Sequence, residues 1–334
     1  MLAAVLCGRN RAGGLIACLC RWGSHSLDIM ARFLTRRLVL ALLVTLTVLT
    51  VSFALTRLSG DLAASIAGPQ ATAADIDIIR KAYGLDRPVV VQFFDWVGSA
   101  LSGDLGRSYL YHAPVAELIR DRLPVTLTLG LTGLCIAVLT ALPLGIFAAM
   151  REGSALDRLV MTIAVVGQAM PSFWLGLLLI ITFGLKLQWL PISGVDEWTG
   201  YVLPGVVLAF SAIPALMRLT RSGMVDALAS DYIRTARAKG LSRASVVLKH
   251  ALRNAAMPVV AVAAVQLGFM LSGSIVIESV FALHGVGYLA WESISKNDFP
   301  VVQAVVLFLA TIFVCLTLLS DLLNAFLDPR LRAA

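Results

Sequence analysis

The sequence contains little charge. Asp, Glu, Lys and Arg make up 14% of its 334 residues, whereas 59% are hydrophobic and the mean hydropathy is +0.87. A soluble globular protein typically carries about 25% charged and about 45–50% apolar residues. This composition excludes a soluble protein and predicts one embedded in a lipid bilayer. The net charge of +7 requires no nucleic-acid partner, because membrane proteins concentrate basic residues in their cytoplasmic loops.

The sequence also lacks the usual signatures of catalysis and of metal binding. None of its five lysines precedes a Ser or Thr, which excludes the P-loop that binds the phosphates of ATP. None of its four histidines has a second histidine four residues away, which excludes the helix of a zinc metalloprotease. We therefore predict no catalytic residue, no metal site and no cofactor in this chain. Its five cysteines imply no disulfide framework. They are Cys7, Cys18, Cys20, Cys135 and Cys315.

Long apolar runs, in contrast, occur six times. A helix needs about 20 apolar residues to cross the hydrocarbon core of a bilayer. We predict spans at residues 38–56, 123–150, 159–185, 198–217, 254–277 and 299–320. With the N-terminus in the cytoplasm, the cytoplasmic segments hold 18 of the 27 basic residues, and seven of the other nine lie in one long loop. Because basic loops resist translocation, both termini are predicted to be cytoplasmic.

The polar segments divide the chain further. Residues 1–29 form an atypical N-terminal extension without a span, and Met30 is an alternative start that directly precedes a basic segment. The remaining predicted units are the first span with its basic start (30–57), an external helical cap (58–122), a five-helix core (123–326) with a cytoplasmic loop at 218–256, and a cytoplasmic tail (327–334).

The predicted cap contains an amphipathic helix. Tyr83-Gly-Leu-Asp-Arg-Pro88 indicates a helix end at Gly84 followed by a turn. The following residues, 89–101, place Phe93, Phe94, Val97 and Leu101 on one side of a helix. Such a cap is either a spacer or a surface that docks an extracytoplasmic partner.

Two acidic residues lie near the ends of predicted spans, Glu278 and Asp321. Carboxylates within membranes are costly and are therefore candidates for ion pathways. A proton-coupled secondary transporter that uses one of them is the alternative function. Structural pairing is the other explanation for Glu278.

The loop between the fourth and fifth predicted spans, residues 218–253, is longer than a simple connection requires. Residues 231–239 and 243–254 are predicted to form two short helices. Gly240 suits the left-handed position that ends a helix, and Ser242 suits the cap that begins the next one. Their basic face either reflects the cytoplasmic location, contacts lipid, or offers a partner below the membrane a rigid surface.

The same loop carries a specific resemblance. Asp231-Tyr-Ile-Arg-Thr-Ala-Arg-Ala-Lys-Gly-Leu-Ser242, with Lys249-His-Ala-Leu-Arg-Asn254 and Pro258, resembles the coupling loop of inner-membrane permeases of ATP-binding-cassette importers. The similarity is greatest to the peptide/nickel subfamily, which includes dipeptide and oligopeptide permeases. Four further stretches agree: Tyr83–Pro88, Gly103-Asp-Leu-Gly-Arg-Ser108, Asp298-Phe-Pro-Val-Val-Gln303 and Asp328-Pro-Arg-Leu-Arg332.

Some positions depart from the broader importer pattern. In the loop, only Ala236, Gly240 and Leu252 are kept, as is common in the peptide subfamily. His284 replaces a proline in Phe281-Ala-Leu-His-Gly-Val-Gly287, so the family pattern does not fix the geometry after the fifth span. Residues 1–29 have no counterpart in the family pattern.

The resemblance implies an all-α, polytopic permease with six transmembrane helices, the type I importer fold, in the bacterial inner membrane. It implies a pathway for a peptide-like or nickel-chelate substrate and no enzymatic activity in this chain. The implied partners are a second related permease, two ATPase subunits at the cytoplasmic face and an extracytoplasmic substrate-binding protein. The residues implied to contact the ATPase are Arg234, Thr235, Ala236, Arg237, Lys239, Gly240, Leu241, Ser242, His250 and Leu252.

Overall fold

A computed structural model describes residues 13–58, 61–68, 70–194 and 197–327, and it describes side chains within residues 35–325 of these ranges. These residues form helices and connecting loops without a β-strand, which confirms the predicted all-α class. The helices are α1 Gly13–Leu58, α2 Leu62–Ala67, α3 Ala73–Ala82, α4 Val89–Leu101, α5 Val115–Met150, α6 Ala155–Ala169, α7 Ser172–Leu179, α8 Val202–Ala229, α9 Asp231–Ala238, α10 Arg243–Ser245, α11 Leu252–Val280, α12 Val286–Ser295 and α13 Phe299–Leu327.

Five stretches within the described residues are long and apolar enough to cross a membrane as continuous helices. They are Thr35–Leu58, Val115–Met150, Trp198–Ala229, Arg243–Val280 and Phe299–Ala325. A sixth candidate consists of α6 and then α7 with its π-helical continuation to Lys186, two segments that are bent by 100° relative to each other. The six predicted apolar runs therefore correspond to five continuous helices and one broken helix.

Pro171 accounts for the broken helix. Proline lacks a backbone N–H and disfavours helical dihedrals at the residue before it. Met170 accordingly has φ −74° and ψ 133°, and α6 ends just before it. The sequence predicted one span over residues 159–185, and the structure shows a sharp corner within that span. Other prolines lie inside continuous helices: Pro124, Pro143, Pro214 and Pro258.

Small residues bring α5 and α8 into close contact. Every fourth position of α5 from 133 to 145 is a buried glycine or alanine: Gly133, Ala137, Ala141 and Gly145. A Cβ atom on Gly145 would lie 2.7 Å from the Thr220 Cβ and 2.9 Å from the Met217 carbonyl oxygen of α8. In a bilayer, such close backbone approach supplies the packing energy that burial from water supplies elsewhere.

The two ends of the helical bundle differ. Helices α2, α3, α4 and α12 lie at one end, which we call the cap end, and α9 and α10 lie at the other, which we call the hairpin end. At the cap end, the rings of Phe93 and Trp96 on α4 pack against Phe53 of α1, with centroids 5.3 and 6.0 Å apart. Phe94 and Leu101, predicted on the same side as Phe93, remain exposed. The amphipathic helix therefore rests on the first span by its aromatic residues.

Several sequence predictions lie outside the described residues. These are the predictions for Cys7, for the extension before residue 13, for the side chains of Cys18, Cys20 and Met30, for the motif at 328–332 and for the tail beyond residue 327.

We expect Gly145→Ala to destabilise the protein. The new methyl group meets a backbone oxygen and a β-branched carbon, neither of which can move without shifting α8, and overpacking of this kind costs about 1–3 kcal/mol. Gly273→Ala in α11 is the matched control, because its Cβ would meet nothing within 4 Å. The measurement is the thermal unfolding midpoint in mild detergent. Equal midpoints for the two variants would contradict the close contact of α5 and α8.

Candidate functional site

The predicted loop between the fourth and fifth spans forms a compact hairpin at the end of α8. Helix α8 ends at Ala229, Ser230 adopts extended dihedrals, and α9 follows. Gly240 has φ +78°, the left-handed conformation expected at a helix end. The Ser242 hydroxyl accepts a hydrogen bond from the Ser245 backbone N–H at 3.4 Å and caps the next helix. We call residues 231–251 the hairpin.

The second arm of the hairpin differs from its prediction. The sequence predicted a separate short helix over 243–254. Instead, α10 continues through a π-helical turn, Val246–Ala251, directly into α11, so that one helical stretch runs from Arg243 to Val280. π-Helical turns are frequent at functional sites, where they locally alter the direction of a helix.

The inner side of the hairpin is part of a hydrophobic cluster. Ile233 and Ala236 of α9 and Ala251 of the π-helical turn are buried against Met224 of α8 and Ala149 of α5. A hydrogen bond of 2.9 Å from the Asn254 side-chain amide to the Tyr232 hydroxyl links α9 to α11. These contacts fix the hairpin to the ends of three spanning helices.

The structure brings most of the predicted coupling residues together at the tip of the hairpin. Seven are exposed there: Arg234, Thr235, Arg237, Lys239, Gly240, Leu241 and Ser242. Ala236 is instead buried in the cluster, while His250 and Leu252 are half-buried where the hairpin joins α11. Arg234 lies 3.4 Å from Asp231, an exposed pair that contributes little to stability. The tip is therefore a basic surface on a fixed support.

A buried ion pair at the base of the hairpin was not predicted from the sequence. Arg221 of α8 donates two hydrogen bonds of 2.7 Å to the Asp157 carboxylate of α6. Asp157 also accepts a hydrogen bond from the Gly153 backbone N–H, and Ser154 caps α6 by accepting one from the Asp157 N–H. The sequence signal is the Ser-x-x-Asp capping pattern, which predicts an acidic residue in a first helical turn. The pair joins α6 to α8.

Glu278 holds the loop after α11 in place. Its carboxylate accepts hydrogen bonds from the hydroxyl groups of Thr126 and Ser274 and from the Tyr288 backbone N–H, at 2.8–2.9 Å. Tyr288 lies in the first turn of α12, where a carboxylate satisfies amides that have no helical partner. The Thr126 hydroxyl also accepts a hydrogen bond from Val286, so Glu278 links α5, α11 and α12. This favours structural pairing over proton transport.

Asp321, the other candidate carboxylate, is also paired. Its Oδ2 lies 2.8 Å from Nη1 of Arg37 and joins α13 to α1 at the hairpin end. The sequence placed both residues near span ends but did not reveal this contact, because they are far apart in the chain.

Two of the motifs that carried the family resemblance contact each other at the cap end. The Asp298 carboxylate accepts hydrogen bonds from the Ser108 hydroxyl and from the backbone N–H groups of Tyr109 and Leu110. These contacts attach the segment that leads into α5 to the start of α13. They bring the motif Gly103–Ser108 into direct contact with the motif Asp298–Gln303.

A second polar contact lies beside it. The Tyr111 hydroxyl donates a hydrogen bond to Glu292 of α12, and this bond is the main reason that the pKa of Glu292 lies below its usual range. Lys296, 3.0 Å from Glu292, lowers the same pKa further. The segment before α5 is thus attached to both α12 and α13.

Comparison with known proteins is consistent with this arrangement. The profile of the family described as binding-protein-dependent transport system inner membrane component matches residues 141–333. The profile of the corresponding N-terminal region matches residues 30–130. Together they cover the spans, the cap and the hairpin.

Individual relatives match most of this chain. The glutathione transport system permease protein GsiC of Escherichia coli strain CFT073 is 45% identical over 275 residues, which cover 82% of this chain and 90% of that protein. GsiC of Salmonella typhimurium strain LT2 matches with the same identity and coverage. The inward-facing MetNI methionine ABC transporter aligns with 65% of this chain and 95% of its own, at 21% identity and a TM-score of 0.49, too weak a likeness to support an argument.

Members of this family are transport components rather than enzymes. ATP hydrolysis lies in partner ATPase subunits, and an extracytoplasmic binding protein supplies the substrate. The chain therefore belongs to the binding-protein-dependent transport system inner membrane components, as a multi-pass permease subunit of a peptide/nickel-type ATP-binding-cassette importer.

Proposed function

We propose that the exposed tip of the hairpin, residues 234–242, docks into a groove on one ATPase subunit and transmits its movement to the spanning helices. One observation carries this proposal: the tip is exposed and basic, while its inner side is buried against the ends of α5, α8 and α11. A surface mounted in this way moves as a unit with those helices. In this proposal Ala236 supports the tip, and His250 and Leu252 lie at the joint through which α11 is displaced.

Two states of the bundle follow from this arrangement. ATP binding closes the ATPase dimer, the dimer displaces the hairpin, and α8 and α11 change their tilt. An effector can shift such an equilibrium only by the difference in its affinity for the two states, and here the docked ATPase is the effector.

We also propose a second, related permease as the partner that completes the pathway. Between α5, α8 and α11, the centre of the described bundle is filled by apolar side chains, among them Leu129, Leu216 and Met270. A pathway for a polar substrate therefore fits better between two such bundles than through one. The proposed domains are the external cap at 58–122, which docks the binding protein, and the core at 123–326.

The proposed substrate is a small peptide-like compound. The relatives described above are named for glutathione transport, and glutathione is the first compound to test. A nickel chelate is the second candidate, because the peptide/nickel subfamily also includes permeases for such complexes.

We expect Gly240→Pro to uncouple the importer. Proline holds φ near −65°, which is incompatible with φ +78°, and it removes the hydrogen bond from the Gly240 N–H to the Arg237 carbonyl oxygen. The altered tip should lower the recovery of ATPase subunits with the purified permease by roughly tenfold or more, the equivalent of about 1.4 kcal/mol of binding.

The matched control for this experiment is Gly68→Pro. Gly68 also has a positive φ, +88°, also donates a backbone hydrogen bond, to Ala64, and also faces open space, but it lies at the cap end. Gly68→Pro should retain the ATPase subunits. A deletion of residues 235–241 that inserts normally and still supports import would overturn the proposed docking.

We expect the hairpin end to face the cytoplasm and the cap end to face outward. After replacement of the native cysteines, Asp95→Cys and Glu152→Cys report the two ends, because both side chains are more than half exposed. A membrane-impermeant maleimide should label position 95 in intact cells and position 152 only after permeabilisation. The reverse pattern would show that the proposed orientation is wrong.

We expect uptake of glutathione by the assembled importer to require ATP and to continue when a protonophore collapses the proton gradient. Glu278 and Asp321 both have structural partners, which leaves neither as a free proton carrier. Radiolabelled uptake into vesicles is the measurement. Uptake that stops with the gradient while ATP remains would favour the proton-coupled alternative.

A further inference from the structure

A groove runs along the outside of α5 where it meets the second arm of the hairpin. Its volume is about 580 Å³, and its upper wall includes Pro143, Ile146 and Phe147 of α5. Its lower wall includes Ala244 and Leu248 from the start of the helical stretch that leads into α11. Two arginines, Arg151 and Arg243, line the groove at its lower part. We call this feature the arginine groove.

The arginines of the groove carry uncompensated charge. Among the described residues, neither Arg151 nor Arg243 forms a salt bridge. Glu152 Oε1 lies 3.9 Å from the Arg221 guanidinium, and Asp157 binds the same guanidinium through both oxygens. Two exposed guanidinium groups that share one groove form a site for an anion, and for a phosphate in particular.

The apolar part of the groove is also open. Phe147 is 53% exposed and Leu248 58% exposed, although both are large apolar side chains. Phe147 lies one turn before the end of α5, within the apolar stretch that crosses the membrane. The groove is therefore amphipathic: Phe147 belongs to the apolar stretch of α5, and Arg151 directly follows the last residue of that helix.

We propose that the arginine groove binds one anionic phospholipid of the cytoplasmic leaflet. Arg151 and Arg243 hold the phosphate, and an acyl chain lies along Phe147 and Leu248. Basic pockets between membrane helices at this level attract anionic head groups. The inference rests on the proposed function only in placing the hairpin end at the cytoplasmic leaflet.

An acidic side chain of the ATPase is the other conceivable occupant of the groove. Such a side chain would pair with the arginines but would leave the apolar wall uncovered. A water-soluble subunit does not reach Phe147, which lies in an apolar spanning helix. In this proposal the basic residues at the tip contact the ATPase, and Arg243 contacts lipid.

The bound lipid has a consequence for the hairpin. One wall of the groove belongs to α5, and the other wall contains Val247, which lies in the π-helical turn that joins the hairpin to α11. A lipid between the walls holds the second arm against α5, and its loss frees that joint.

The test is native mass spectrometry of the assembled importer, titrated with phosphatidylglycerol and, separately, with phosphatidylcholine. The wild-type complex should bind phosphatidylglycerol preferentially. Arg151→Gln combined with Arg243→Gln should weaken that binding roughly tenfold or more through the loss of two arginine contacts. Arg158→Gln combined with Arg253→Gln is the matched control, since it removes the same charge from exposed residues outside the groove and should bind as the wild type does.

A second variant distinguishes a lipid from a soluble anion. Phe147→Ser keeps both arginines but removes the exposed aromatic side chain from the apolar wall, and it should also weaken phosphatidylglycerol binding. Equal binding of the two lipids by the wild type, or wild-type binding by the double arginine variant, would overturn the proposal. A double arginine variant that keeps the lipid but loses the ATPase subunits would instead assign the groove to the ATPase. Recovery of those subunits is scored separately, so failure of the docking proposal is distinguishable from failure of this one.

Discussion

Helices α5 and α8 approach each other so closely that a single methyl group at Gly145 meets the Met217 carbonyl oxygen and the Thr220 side chain of the facing helix. In a bilayer the hydrophobic effect contributes little to helix association, so complementary shape and close packing must stabilise the contact. This contact places the ends of both helices side by side. At the hairpin end, Ala149 and Met224 form the base on which the hairpin is built. At the cap end, Thr126 of α5 reaches Glu278 of α11.

Hydrogen bonds and ion pairs then hold the helices in the positions set by the packing of small residues. In hydrocarbon an unsatisfied polar group is costly, and three carboxylates of this bundle have specific partners on neighbouring helices. Asp157 joins α6 to α8, Glu278 joins α11 to α12 and α5, and Asp321 joins α13 to α1. Removal of one partner would leave a charge without compensation, so these contacts fix helix order more than they add stability.

Sequence reasoning identified what depends on local pattern and missed what depends on distant contacts. Apolar run length revealed all six span candidates, and Gly240 and Ser242 marked the hairpin because caps and left-handed turns require particular residue types. The 100° corner at Pro171 was not predicted, since four other prolines lie inside continuous helices. The partner of Asp157 was also not predicted, because Arg221 is 64 residues away. The resemblance supplied the roles of the tip residues, and geometry separated buried Ala236 from its exposed neighbours.

Helix α11 connects the two ends of the molecule. It begins at the π-helical turn of the hairpin, and near its other end Glu278 holds the first turn of α12. In the proposed coupling, a displacement of the hairpin would be carried along one continuous helix to the loop that faces the cap. The π-helical turn at Val246–Ala251 interrupts the regular α-helical hydrogen bonding of this path. The arginine groove adjoins that turn through Val247, so the proposed lipid and the proposed ATPase contact would act on the same joint.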